Sequence, residues 1–567
     1  MKRYKNITIA AIGAVILMAG CKKYEQFPVD KVTLNYVFDS RDSLGTNAQS
    51  FLYSIYGVLQ NGHNRVGGDY LDAASDDAMS SASGPSNQVT MLSTGAYNSY
   101  TLPAPENLWA LFYSGIRKSN EFVTNIDVVP VMAQYNGKSM KYAWKAEARF
   151  LRAYFYFELV KRYGGVPLLG DKVFTIKDDV SLPRNSFDDC IKYITSECDA
   201  IKGDLLNNPL SSNDSHRITQ GAALTLKARA LLYAASPLFN GGNIDANNTL
   251  TGYTSGSTAR WAMASAAAKD VMNLNAYKLL DNFKDVFTTQ NNTEIIFMRQ
   301  NDDGNAVESA NAPIGFTAAA ANGQTSPSQQ LVDAFPMDSG LPITDPAANY
   351  NENNPYANRD PRLTYTIFYN GARWLNTDLQ IYEGGQSKPN SSLQQTKTGY
   401  YMRKFMGASE NVASFAKHPE DWLIMRYSDV ILMYAEAENE VNGATADVYN
   451  ALISIRKRAG ITAGADNLYG LKAGISKEDM RTVIQNERRV EFAFEESRYW
   501  DIRRWKIAET VMNQPIKGIT IEKIGSSLTY SIAPVLTDKF VSPKMYLYPI
   551  PYDEVLKNPN MKQNPGW

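Results

Sequence analysis

Three histidines, His63, His216 and His418, are all the imidazole this 567-residue chain has. They stand far apart, with no His-x-x-x-His pair that one helix face would turn toward a zinc ion. A metal centre or a Ser-His-Asp relay is therefore not written in the spacing, and convergence in space is the only route left to either. Ser414-Phe415-Ala416-Lys417 has the spacing of an acylating serine and its lysine, and Lys397-Thr398-Gly399 matches the Lys-Thr-Gly that accompanies such a pair. Here the two come in reversed order and the Ser-x-Asn element between them is missing, so the match reads as chance. The chain has no Walker loop, no dinucleotide fingerprint and no Gly-x-Ser-x-Gly elbow. A carboxylate pair for glycoside hydrolysis cannot be located among 58 acidic residues. The expectation is a protein that is not an enzyme, with no catalytic residue, no cofactor and no metal.

One cysteine does point to chemistry. A basic start (Lys2, Arg3, Lys5) precedes an apolar run from Ile7 to Ala19. That run is shorter than the roughly 20 residues a bilayer core demands, and it has the zones of a secretory signal peptide. It ends in Leu17-Met18-Ala19-Gly20-Cys21, which resembles a bacterial lipobox with Met18 where Leu is usual. On this reading residues 1–20 are removed, the Cys21 thiol is acylated with fatty chains such as palmitate, and residues 21–45 form a lipidated tether. Several acyl chains hold a protein on a membrane where one is marginal. Cys190 and Cys198 lie eight apart on an expected helix, about 12 Å of rise, too far for a disulfide, and read as small core residues.

With 57 basic and 58 acidic residues, nothing asks for nucleic acid as a partner. No apolar stretch beyond the leader is long enough to span a bilayer. Helical periodicity is strong in 138–163, where Trp144, Ala148, Leu151, Phe155 and Leu159 share a face and Gly164-Gly165 then Pro167 stop the run. Ser186 with Asp189 is a capping pair for a helix reaching Ile201. A further helix runs from Thr219 to Ala235, with alanines that permit close approach, and others fall near 46–60, 106–127, 260–273, 428–441, 446–459 and 477–496. Paired helices with short polar connectors predict a mainly α fold, a tetratricopeptide-like stack of helix hairpins spanning 46–240 and 420–567. Between 241 and 419, Asn, Gly, Ser, Thr and Pro cluster, which predicts a loop-rich lobe with short strands near Glu294–Arg299 and Thr364–Tyr369.

A set of segments then resembles the SusD/RagB family in order along nearly the whole mature chain. Glu147-Ala148-Arg149-Phe150-Leu151-Arg152-Ala153-Tyr154-Phe155-Tyr156-Phe157 with Tyr163-Gly164-Gly165-Val166-Pro167-Leu168 looks like its central helix and exit turn. Ala228–Tyr233, Arg359-Asp360-Pro361-Arg362-Leu363, Tyr434–Ala437 and Ile455–Gly460 follow. Glu487-Arg488-Arg489-Val490-Glu491-Phe492 leads into Arg498-Tyr499-Trp500-Asp501-Ile502-Arg503-Arg504-Trp505, and the chain closes with Leu547–Pro551 and Gln563–Trp567. The resemblance implies a lipid-anchored outer-membrane protein, facing the exterior, that captures oligosaccharide or polysaccharide and serves as the lid of a SusC-like TonB-dependent transporter. Some members take peptides instead. An extracellular glycan-degrading enzyme and a purely structural lipoprotein are the rival classes. The motif charges Glu147, Glu436, Glu487 and Glu491, near Arg149, Arg458, Arg488 and Arg503, read as structural: once buried between helices they must be paired.

The family's ligand contacts lie in loops without a fixed motif, so candidates come from chemistry. Sugar C–H patches pack on aromatic faces and sugar hydroxyls bond Asp, Asn and Arg. Asp69–Asp77 followed by a Gly/Ser loop gives Asp72, Asp76 and Asp77, with Tyr97, Tyr100 and Trp109 beyond it. A second group is Arg373 and Trp374, after Asn370-Gly371, with Tyr382.

Overall fold

The computed structural model describes residues 33–567 except 83, 85, 210–213 and 392. The expected leader and Cys21, the expected acylation site, lie outside the described residues. The longer helices are α1 (Thr46–Tyr56), α2 (Trp109–Asn125), α3 (Lys141–Tyr163), α4 (Phe187–Ile201), α5 (Gln220–Ala235), α6 (Thr258–Asn273), α7 (Tyr427–Asn442), α8 (Ala446–Ala459), α9 (Lys477–Glu491) and α10 (Ser497–Arg504). Helices α2 to α6 pack each on the next, α7 packs on α6, and α8 and α9 pack on α7. This mainly α stack is the expected scaffold.

Local chemistry explains the ends of these helices. Ser186 and Asp189 form the reciprocal capping box of α4. Arg456, Lys457 and Arg458 crowd the last turn of α8, where the helix dipole favours positive charge, before Gly460 takes the left-handed turn. At the exit of α3, Gly164 has φ +76°, and a Cβ there would come within 2.4 Å of the Leu250 carbonyl oxygen. At Gly165 a Cβ would meet the Asn185 oxygen at 2.1 Å, so the Gly-Gly pair is required by close backbone approach. Ala222, Ala223, Ala230 and Ala234 on α5 and Ala264, Ala267 and Ala268 on α6 are all buried, as close helix contact requires. Cys190 and Cys198 are buried free thiols.

All sheets among the described residues are two-stranded. We number the six strands the site needs: β1 (Ala78–Ser80), β2 (Ile295–Arg299), β3 (Thr325–Pro327), β4 (Trp422–Arg426), β5 (Pro515–Ile524) and β6 (Ser527–Thr537). β1 pairs with β3 and β2 with β4, both antiparallel. Phe297 of β2 meets Phe150 and Tyr154 of α3 at 5.3 and 5.9 Å, so one hydrophobic core runs through stack and lobe together.

Three boundaries differ from the sequence reading. Helix α6, expected near 260–273, packs between α5 and α7 and so belongs to the stack, although the 241–419 boundary puts it in the lobe. The expected strand at Thr364–Tyr369 is mostly a short helix, Pro361–Thr366, with only Ile367–Phe368 extended. Asp360 caps that helix and Pro361 opens it, which sets helical rather than extended backbone. The third difference is the long hairpin β5–β6, inside the span expected to be helical. Its two-residue turn places Gly525 at φ +62°, and its strand β5 alternates buried Ile519 and Ile521 with half-buried Thr520 and exposed Glu522.

Candidate functional site

Most of the motif charges are buried and paired; Arg149 is only partly buried, and Arg503 is buried without a carboxylate partner among the described residues, donating to the Tyr499 carbonyl and lying over the Tyr499 ring. Glu491 sits among three arginines: Arg362 at 2.9 Å, Arg426 at 2.7 Å, and Arg458. Arg426 and Arg458 also reach Glu294, and Arg362 reaches Asp360 and Glu487, which in turn holds Arg456. Burial alone would push the Glu491 carboxyl up; Arg458, Arg426 and Arg362 more than reverse this and hold it below the usual carboxylate range. Glu436 holds Arg504 and the Trp505 indole N–H, and Arg488 holds Asp429 and Asp501. Two partners differ from those nearest in sequence. Glu147 pairs with Arg217 and accepts from the Tyr56 hydroxyl, whereas Arg149 pairs with Glu197.

A separate set of contacts takes up the aspartates of the first group of ligand candidates. Asp76 is held by Arg489 and Arg498 at 3.0 and 2.8 Å, and Asp77 by Arg489 at 2.6 Å. Asp72 is fully buried and accepts the backbone N–H groups of Phe494 and Glu496, both at 3.0 Å. Those two residues have φ of +63° and +62°, a conformation costly for side-chain-bearing residues, so Asp72 secures a strained turn between α9 and α10. Tyr97 is buried and stacks on Trp567 at 5.0 Å. Trp109 is buried edge-on to Tyr163 and forms one wall of a cavity of about 360 Å³ with Tyr113, Arg117, Lys172 and Phe174. Tyr100 is 78% exposed, with Tyr552 edge-on at 6.0 Å. The three aspartates and Tyr97 are thus packed groups, contrary to the expectation of a ligand-facing loop; their partners come from the far end of the chain.

The second group divides by alternation. In the two-residue strand Arg373–Trp374, Trp374 turns inward, fully buried against Phe368 at 4.7 Å and Phe415 at 6.0 Å, and Arg373 turns to solvent beside Asp378. Trp374 is a core residue, correcting its placement as a ligand contact. Tyr382 remains half-buried at the lobe surface, its hydroxyl donating to Gln380 and the Lys523 ammonium 4.7 Å from its ring.

Around Tyr382 lies a face that the sequence did not reveal. Next to it, Glu383 N–H donates to the Ile521 carbonyl, tying this loop to β5. Across the hairpin Ile521 is in register with Tyr530, which is half-buried and edge-on to Tyr356 at 6.4 Å. Tyr356 stacks on Tyr369 at 4.2 Å. On the other side, the Gln386 amide donates to the Gly315 carbonyl beside half-buried Phe316. Nearby loops are joined through amides: Gln394 donates to Ser81 Oγ at 2.8 Å and to Gln324 Oε1 at 2.7 Å. Tyr356 thus meets both Tyr530 and Tyr369 ring to ring, and the loop of Tyr382 is tied by hydrogen bonds to β5 on one side and to the Gly315–Phe316 loop on the other. Tyr356 follows the Asn351–Pro355 turn cluster, a signal that marked the loop but not the ring; Tyr530 was hidden with its hairpin.

The histidines end in three different settings. Burial drives His63 down to about 4, and it hydrogen-bonds the Tyr70 hydroxyl at 2.7 Å. His216 lies against Tyr53 and Tyr56. His418 meets Glu308 at 2.8 Å, and those two with Glu420 are the described residues whose grouping could hold a metal ion. Of the nominal serine-enzyme motifs, Ser414 and Lys417 are exposed and Thr398 is buried.

A rigid helix stack that carries loops on a shared core defines a scaffold for presenting a surface. The sequence profile of the SusD family matches residues 293–567, and one described as starch-binding and associating with the outer membrane matches residues 34–232. A SusD-like protein of Formosa agariphila is 23% identical over the full length of both chains. The crystal structure of a SusD-like protein from Bacteroides fragilis superimposes with a TM-score of 0.76 at 25% identity, covering 95% of this chain and 100% of that one. A SusD-like carbohydrate-binding protein from the same species superimposes with a TM-score of 0.71, also at 25% identity, over 92% and 99%. The chain belongs to the SusD/RagB family. Among the described residues no helix is long and apolar enough to cross a membrane.

Proposed function

We propose that this protein binds oligosaccharide or polysaccharide outside the cell and passes it to a SusC-like TonB-dependent transporter, over which it closes as a lid, while Cys21 holds it to the outer membrane by its acyl chains. The observation that carries the binding reading is the face around Tyr382. Half-buried Tyr530, Tyr356, Tyr369 and Phe316 offer ring surface to sugar C–H patches, and the Gln386 amide, tied to the Gly315 carbonyl next to Phe316, suits sugar hydroxyls. Rings already fixed by neighbouring rings lose little freedom on binding. The carbohydrate-binding relative from Bacteroides fragilis supports the same class of ligand. Arg373 and Tyr100, both exposed, are further candidate contacts.

Calorimetric titration with a panel of oligosaccharides tests the proposal. Tyr382→Ala and Tyr530→Ala should each weaken binding by about 1–3 kcal/mol, roughly tenfold to hundredfold, with little change in melting midpoint. Unchanged affinity in both variants would move the site elsewhere. Release of shortened products from the panel would favour an enzyme, and retention of peptides alone would favour the peptide-binding alternative. Extraction in mild detergent should recover the transporter with this chain.

A further inference from the structure

We propose that Glu308, His418 and Glu420 form a binding site for a divalent transition-metal ion of the zinc class, which fastens the loop-rich lobe at its junction with the stack. One donor atom from each of the three lies within 4.8 Å of the others. The hydrogen bonding around His418 supplies the first argument. Its Nδ1 lies 2.9 Å from the Pro419 carbonyl oxygen, which can only accept, so Nδ1 carries a proton. Its Nε2 lies 2.8 Å from Glu308 Oε1, also an acceptor when ionised. Two acceptors facing one ring leave a choice between a second proton on Nε2 and a metal ion taking that lone pair. An Nδ1–H bond to a backbone carbonyl is the arrangement that fixes a metal-binding imidazole with Nε2 free to coordinate.

The second argument comes from the carboxylates. Glu308 is fully buried; its Oε1 is taken by Gly407 N–H and His418, while Oε2 is buried with no hydrogen-bond partner. A buried carboxylate oxygen left unpaired is costly, and a cation supplies what is missing. Glu420 uses Oε1 to accept the Val307 N–H at 2.8 Å, and its Oε2 lies over Gly304, where a Cβ would come within 2.3 Å. The bare glycine leaves that oxygen its place. One imidazole with two carboxylates matches zinc and its neighbours; calcium takes six to eight oxygens and no nitrogen. His418 and Glu420 are only half-buried, which leaves a path for the ion and room for water as a further ligand. The site would join the short helix Ala306–Asn311, which carries Glu308, to the segment that leads into β4.

The test uses the full-length protein stripped with a chelator and titrated with Zn²⁺, Mn²⁺ and Ca²⁺ alone. We expect one tightly held Zn²⁺ per chain, a raised melting midpoint with zinc, and weaker response to Ca²⁺. His418→Ala and Glu420→Gln should each weaken zinc binding by about 100-fold or more, beyond the cost of losing a mere supporting hydrogen bond. Circular dichroism checks that each variant folds. Because a variant can fail to fold, the wild-type protein is also loaded with Co²⁺, whose visible absorption should show nitrogen and oxygen coordination. Absence of stoichiometric zinc in the wild type, affinity unchanged by both substitutions, or preference for Ca²⁺ over Zn²⁺ would each overturn the proposal.

Discussion

Glu491→Gln isolates the centre of the buried charge lattice. The amide keeps the shape of the side chain but removes its charge and points an N–H donor at guanidinium groups. Arg362 retains Asp360 and Glu487, and Arg426 retains Glu294 and Glu495, so neither is stranded. Arg458 keeps only Glu294 among the carboxylates that pair with it. The backbone carbonyl of residue 491 still accepts from Arg426 and Lys404. Breaking a buried pair costs about 3–5 kcal/mol, and the surviving partners put this variant near the lower end, about 3 kcal/mol at pH 7. The folded carboxyl titrates below its unfolded value, so its stabilisation is complete above about pH 4.3 and is withdrawn as pH falls below that. Guanidinium unfolding of both proteins at pH 7 and pH 3.5 should therefore show a gap that narrows on acidification. A gap under about 1 kcal/mol at pH 7, or one that does not narrow, would refute the reasoning.

Other substitutions test separate parts of the account. Trp374→Ala should cost about 3–5 kcal/mol in stability, as loss of a buried ring does, and thermal melts will show it; a normal melt with lost glycan binding would restore this residue to the site. Asp69 is pushed up to about 7 by burial, against the bonds it accepts from Ser80, Gln324 and Thr325. Its folded value exceeds the unfolded one near 3.9, so its contribution is greatest at low pH and is lost as pH rises between about 4 and 7; Asp69→Asn should flatten that part of the stability profile in melts from pH 4 to 8. Cys21→Ala should release the protein from the membrane fraction and abolish labelling by a fatty-acid probe.

The helices were legible because their signals are local. The caps of α4 and the basic last turn of α8 lie within a few residues of what they stabilise. The proposed binding face was mostly hidden because its pieces come from separate parts of the chain: Tyr382, Tyr530 and Tyr356 stand in three different segments. Asp76 and Asp77 look like an acidic loop until Arg489 and Arg498 arrive from more than 400 residues away. Arg373 and Trp374 share one sequence context, yet strand alternation sends one to water and one to the core. Hydrophobic type and nearby glycines do not decide that orientation; the neighbouring Phe368 and Phe415 do.

The turn that Asp72 secures bears on how the chain is made. Its two bonded amides lie 422 and 424 residues downstream, so in a chain synthesised from its N-terminal end Asp72 waits without them until the segment of Phe494 and Glu496 is made. Until that late segment emerges, Asp72, Asp76 and Asp77 lack the backbone amides and arginines that hold them in the folded chain. Contacts of such range slow folding, because the loop must close before anything rewards it. Although separate sequence profiles meet the two halves of the chain, neither half holds its own complement of charges. A chain released before residue 489 should therefore be more open to proteases than the full-length protein, since Asp72, Asp76 and Asp77 would lack their folded partners.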